Sequence, residues 1–312
     1  MKKMIKSFLV VMCLASLAIS LSVGLTGCKV TEDAGIKVYT RDTTSGTRDG
    51  FFTNIDFEEA KTDNSALVAG YVEVDSNGSM INAISHDEFG IGYISLASLS
   101  DSGLIGLTYE GVIPSEANVL NGTYQLTRNF NYITRSDFST TQEEAIVEAY
   151  LAFLTTKDAK ATIQSKDGII AIDSLDPTWD SIKDQYPICQ EDNSSLTIKF
   201  GGSTSVEKIA KALSSEFSSK CGNFKVEHNH TGSGDAYKRT QGSEKAGANF
   251  LHIAFLSREL KETEVAVPLT SGSICIDAIV AVVNSKNELT SITTDVLKKI
   301  YNGTITKWSE VE

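Results

Sequence analysis

Three observations predict an α/β fold for this chain. Apolar residues alternate at Leu196–Phe200 and Asn223–His228 and run on at Ser273–Val283, which reads as strands. They recur at steps of three and four in Thr140–Leu154 and again at Val206, Ile209, Ala210, Leu213 and Phe217, which reads as helices. The two kinds of segment then alternate along the chain.

The elements follow in order. Ile36–Tyr39 alternates as a strand, and the chain from Phe51 reads as helix or loop. Phe89–Leu99 is a buried strand with a turn, and Leu104–Val112 and Tyr124–Phe130 are further short strands. Thr140 and Glu143 have capping-box spacing, so a helix starts there. Residues 171–195 hold two of the four prolines and no clear period, as expected of a connector. A helix follows the turn at 201–205, a glycine turn at His230–Thr240 opens another, Phe250–Leu256 is a strand, and Thr294–Tyr301 is a short helix.

The first 28 residues stand apart. Lys2, Lys3 and Lys6 precede an apolar run from Phe8 to Leu25, the pattern of a secretory signal. It ends in Leu25-Thr26-Gly27-Cys28, which resembles the bacterial lipobox, in which the cysteine becomes the lipidated first residue. Lipidation at Cys28 would tether the chain to the outer face of the cell membrane. Residues 29–35 then form a short tether. After Cys28 no run of about 18 apolar residues occurs, so no transmembrane helix is expected there.

Charge narrows the partners. Without the three signal lysines, 25 basic residues face 40 acidic ones, a net charge of −15. Such a surface disfavours nucleic acid and anionic lipid, and an anion must be held by local, close-range hydrogen bonds. Cys189, Cys221 and Cys275 remain after the signal; three allow at most one internal disulfide, and buried free thiols are expected. No spacing of Cys or His marks a metal site or cofactor. His228 and His230 share a strand face and could at most form a weak metal site.

Three segments share one design, a strand, then a turn of Gly and Ser/Thr, then a helix. They carry Ser45-Gly46-Thr47, Ser203-Thr204-Ser205 and Gly232-Ser233-Gly234. The first turn of a helix has N–H groups without internal partners and a partial positive charge, so an oxyanion is held there, with hydroxyls adding donors. Each loop alone could be an ordinary helix cap. Arg41 adds a planar fork matched to two oxygens of an anion, against the plainer alternative of a surface ion pair with Asp42 or Asp49.

Taken together, "RDTTSGTRDGF", "GSTSV", "TGSG", "SRELKETE", "GIGYISLASL", "GVIPSEANVLNGTYQLTRNF" and "LKKIYNGTITKWSEV" resemble the phosphate-binding lipoproteins of phosphate ABC importers. The resemblance covers nearly all of residues 36–165 and 196–312. It implies a two-lobed periplasmic-binding-protein-like fold (type II) that captures inorganic phosphate for permease subunits in the membrane, without catalysis. Carried over position by position, it implies phosphate contacts from Thr204, Ser205, Ser233 and Ser257, and from Arg41, Ser45, Gly46 and Thr47. Arg258 would add charge, or else pair with Glu262.

Two departures matter. Many relatives place an Asp where Ser257 falls, which accepts the ligand's proton and rejects sulfate; binding of another oxyanion such as sulfate is therefore an alternative. His252-Ile253-Ala254 replaces a common Asp-Ile-Gly, and His252 reads as a strand residue rather than a ligand. A phosphate-ester hydrolase is the alternative from another class, and a surface sensor or adhesin a third.

In most of that family "GSTSV" precedes "RD..SGT". Here it follows, so the order resembles a circular permutation, with residues 171–195 joining the old ends and Ile36 expected near Val311. The expected lobes are 36–105 with 278–312, carrying the SGT loop, and 106–170 with 196–277, carrying the GSTSV loop.

Overall fold

The computed structural model describes residues 34–311. The signal, Cys28 and most of the tether lie outside the described residues. The fold is mixed α/β. In chain order the elements are β1 (Lys37–Arg41), α1 (Gly46–Asn54), β2 (Val72–Val74), α2 (Asn77–Ser85), β3 (Gly90–Ser95), β4 (Ile105–Gly106), β5 (Thr108–Tyr109), α3 (Glu116–Leu120) and β6 (Thr127–Thr134). There follow α4 (Thr141–Leu154), α5 (Lys157–Gln164), α6 (Trp179–Ile182), β7 (Thr197–Gly202), α7 (Glu207–Lys220), β8 (Lys225–His230) and α8 (Ser233–Thr240). The last are β9 (Ile253–Leu256), β10 (Ser271–Val283), β11 (Ser291–Ile292) and α9 (Thr294–Tyr301).

One sheet runs through the molecule in the order β2-β1-β3-β10-β6-β9-β7-β8. β1 is parallel to β2 and β3, and β7 is parallel to β8 and β9, as strands joined through crossover helices must be. β10 is antiparallel to both its neighbours: Ile279–Val283 face β3, and Ser271–Ala278 face β6 across a register shift between Ser273 and Cys275. This one strand joins the two ends of the sheet.

Each end has its own core. Around α1, Phe51 stacks on Tyr93 with centroids 4.0 Å apart and meets Tyr301 edge-on at 5.0 Å. Such pairs add about 0.5–1.5 kcal/mol each beyond their burial. They fix α1, and with it the loop at 41–47. Around α7, Tyr150, Phe153, Phe200, Trp179 and Phe217 interlock in the same way. The capping box at Thr140 and Glu143 is present and starts α4.

Three features differ from the sequence reading. Leu107, Tyr109, Val119, Tyr124 and Leu126 pack in the core around α1, because β5 pairs with β11; residues 106–126 were expected in the other lobe. The connector at 171–195 is anchored, with Trp179 buried in the core around α7. Cys189 and Cys221 form a disulfide that ties the connector to the end of α7, while Cys275 stays a buried thiol. The expectation of three free thiols is therefore corrected. Spacing along the chain did not show that the turn at Pro187–Gln190 packs against that helix end.

The described ends meet. Ile36 N donates to Thr306 O at 2.8 Å, Trp308 N donates to Ala34 O at 3.0 Å, and Ile36 and Val311 pack against the same core.

Candidate functional site

The three Gly/Ser/Thr loops converge. On the α1 side, Ser45 caps the helix, its Oγ accepting from Thr47 N at 3.2 Å and Arg48 N at 3.4 Å. The backbone of Arg41 is pinned: its N donates to Tyr93 OH at 3.1 Å, and its carbonyl accepts from Arg48 Nη1 at 2.8 Å. Arg48 is itself fully buried and serves as a brace.

On the α7 side, Gly202 turns the chain out of β7 at φ 91°, in the left-handed region. A Cβ there would lie 2.3 Å from Phe255 O. Ser203 Oγ then accepts from Ser205 N at 3.2 Å and donates to Ser257 Oγ at 3.0 Å. Ser233 Oγ accepts from Ser257 N at 2.9 Å and lies 3.0 Å from Ser257 Oγ. Ser203, Ser233 and Ser257 are all buried.

The two sides touch at these loops. Thr47 Oγ1 and Ser205 Oγ are 2.9 Å apart. Gly46 sits so tightly that an added Cβ would lie 2.5 Å from Ser257 Oγ and 2.7 Å from Ser233 Oγ. Ser45, Gly46, Thr47, Ser205, Ser233 and Ser257, all singled out in the sequence, thus come together. Ser203 joins them, and so does Asn77, which sequence reasoning missed. The signal was there: Val72–Val74, then Asp75-Ser76-Asn77-Gly78, then an apolar helix, repeats the strand–turn–helix design.

Arg41 is 1% exposed, so the surface ion pair is not its role. Its Nη2 donates to Asp75 O at 2.6 Å and lies 3.9 Å from Asp42. Its Nε and Nη1, and Thr204 Oγ1, are buried without hydrogen-bond partners. Such atoms are rare in folded proteins because each loses its hydration for nothing in return. Burial also pushes the Arg41 pKa down. The arrangement offers a guanidinium, clustered hydroxyls and a helix N-terminus, and among the described residues no carboxylate is hydrogen-bonded to the serine cluster. Chemically it is a set of donors for an oxyanion.

Other candidates fall elsewhere. Arg258 forms a two-pronged ion pair with Glu264, at 2.7 and 2.9 Å, and not with Glu262. Both its Nη atoms are thereby committed to the loop after Ser257, while its Nε is buried without a partner. His252 is buried beside β7 in the bend just before β9, its Nδ1 accepting from Lys199 N at 2.9 Å; the strand expected to include it begins one residue later, at Ile253. His228 and His230 stack face to face, with Nδ1 of the first 3.0 Å from Nε2 of the second. His230 Nδ1 donates to Ser203 O at 3.0 Å, and Ser214 Oγ lies 2.9 Å from His228 Nε2. These imidazole nitrogens are engaged in hydrogen bonds. Among the described residues no group of three His, Cys, Asp or Glu is placed to hold a metal ion.

Burial pushes His228 and His252 down to about 4. In the unfolded chain they take up protons near 6.5. Between these values the unfolded state binds more protons, so acid favours unfolding. The melting temperature is expected to hold above pH 6.5 and to fall as pH drops towards 4. Replacing both histidines by asparagine should flatten part of that fall in a calorimetric pH series.

Residues 189–312 match the model of a PBP superfamily domain. The chain is 26% identical over 281 residues to phosphate-binding protein PstS 2 of Streptococcus agalactiae, covering 88% of this chain and 87% of that one. It is 28% identical over 301 residues to phosphate-binding protein PstS 2 of Streptococcus pneumoniae, covering 93% and 94%. The crystal structure of a phosphate-binding protein of a phosphate ABC transporter from Streptococcus pneumoniae superposes with a TM-score of 0.61 at 23% identity, over 89% of this chain and all of the other. That likeness establishes the fold.

Proposed function

We propose that this chain, PstS-like over most of its length, is an extracytoplasmic solute-binding protein that captures inorganic phosphate for an ABC importer. The observation that carries the reading is the pair of unpartnered nitrogens on buried Arg41, which ends β1 four residues before the Ser45-Gly46-Thr47 turn, where Thr47 meets Ser205 of the other core. The similarity to phosphate-binding proteins over 88% and 93% of the chain supports the ligand. The two cores act as lobes that close over the anion, each supplying part of its hydrogen-bond shell. The lobe around α1 also takes residues 107–126. Permease subunits are the partners, and lipid at Cys28 is the anchor. No described helix is long and apolar enough to cross a membrane.

Binding rather than catalysis is supported by the serines themselves. An attacking serine needs a base on its hydroxyl. Ser203, Ser233 and Ser257 share protons with one another, and His230 reaches the backbone carbonyl of Ser203. The order of the loops is read as a circular permutation, supported by the hydrogen bonds between the described ends.

Calorimetric titration of the mature protein tests the proposal. Saturable one-to-one binding of phosphate is expected. A second oxyanion, sulfate, is favoured by one observation: Ser257 is a hydroxyl bonded to hydroxyls, with no carboxylate to take the ligand's proton. Silence with phosphate and saturable binding of sulfate would change the ligand.

Gly46→Ala is expected to weaken binding at least tenfold while leaving the fold intact. The new Cβ would meet Ser257 and Ser233 across the cleft, at distances that real Cβ atoms do not reach. The titration, read beside the circular dichroism spectrum, checks both halves.

A further inference from the structure

We propose that Asn77 is a positioning residue of the site, and that it leaves one hydroxyl proton of the Thr47–Ser205 pair free for an anion. The inference rests on the oxyanion reading above. Asn77 opens α2 on one side of the cleft and is buried at 3% exposure. Its Nδ2 donates to Ser205 Oγ, on the other side, at 2.9 Å. Its Oδ1 accepts from Ser95 N at 3.4 Å. That N–H fixes the amide's orientation: a flipped amide would set donor against donor. Asn77 therefore presents a donor to Ser205.

The consequence is a matter of counting protons. Thr47 Oγ1 and Ser205 Oγ are in hydrogen-bond contact, so one of their two protons is used between them. Because Asn77 gives Ser205 a proton and takes none, the other stays free. Either Ser205 donates to Thr47 and the threonine hydroxyl points outward, or Thr47 donates to Ser205 and the serine hydroxyl does. One O–H is left for an oxyanion in both cases. An acceptor at position 77 would draw the Ser205 proton to itself. Thr47 would then donate to Ser205, and the pair would face the anion with oxygen lone pairs. A hydroxyl can play either part, so it is the fixed neighbour that sets the polarity. The same contact also latches α2 to the loop after β7, and so contributes to holding the cleft closed.

The test is a calorimetric titration of the mature protein with inorganic phosphate, in wild type and four variants. Asn77→Ala is expected to weaken phosphate about tenfold. Asn77→Asp, nearly the same shape, is expected to weaken it more than a hundredfold at pH 8. It should recover in part as the pH is lowered towards 5, where the protonated acid again supplies a donor; wild type should not gain in this way. Ser205→Ala and the double variant Asn77→Ala/Ser205→Ala should bind alike, because Asn77 acts through Ser205. Wild-type affinity in Asn77→Ala, losses that multiply in the double variant, or an Asn77→Asp profile parallel to wild type would each overturn the inference. A folded wild-type protein that takes up neither phosphate nor sulfate overturns the oxyanion reading first, and this inference with it.

Discussion

Arg41→Ala is expected to remove phosphate binding almost entirely, by a hundredfold or more, without harming the fold. Charge-assisted hydrogen bonds to an anion contribute about 1.5–3 kcal/mol each, and Arg41 has two buried nitrogens with no protein partner. The stability of the unliganded protein should hold or rise. The guanidinium is buried, its one close hydrogen bond is to Asp75 O, and burial already works against its charge. Taking a charge out of water costs several kcal/mol unless it is paired. A residue that lowers stability in the free protein and is needed for affinity is the signature of a binding site. Arg41→Lys should not rescue binding, since an ammonium lacks the fork. Titration and thermal melting of the same samples decide it. A loss of affinity together with a large fall in melting temperature would make Arg41 structural instead.

Asp277→Ala should give the opposite pattern, a large loss of stability. Asp277 Oδ2 accepts from Arg128 Nε at 3.0 Å and Nη2 at 2.8 Å, and Oδ1 accepts from Ser95 Oγ at 2.6 Å. The cluster joins β10, β6 and β3 where the two cores meet. Burial pushes the carboxyl of Asp277 up and the guanidinium of Arg128 down, while the ion pair pulls each back towards its charged form. Removing the carboxylate strands a buried cation, at a cost of about 3–5 kcal/mol. For a chain of this size that lowers the melting temperature by roughly 10 °C. The double variant Arg128→Met/Asp277→Leu should recover much of the loss, because no unpaired charge remains. Equal damage in the single and double variants would mean that packing, rather than the stranded charge, sets the cost.

Local chemistry was the most legible part of the sequence. The Thr140 capping box, the stripe of α7 and the three loops that close on Ser257 all rest on neighbours in the chain, and the structure forms them where the pattern put them. Contacts between distant residues were less so. Asn77 meets Ser205 across 128 positions, Cys189 meets Cys221 only because a proline turn packs on a helix end, and Arg258 finds Glu264 because the loop folds back. Residues 107–126 changed cores for a similar reason. Their placement depends on a two-residue parallel pairing with β11, too short to leave a pattern.

β10 has a thermodynamic consequence for the whole molecule. Two cores joined by a loose linker can melt separately. Here Ile279–Val283 bond to one sheet neighbour and Ser271–Ala278 to the other within a single strand, so fraying one end strips pairing from the other. The described chain should therefore unfold as one cooperative unit, and the amides at the middle of β10 should be the last to exchange with solvent.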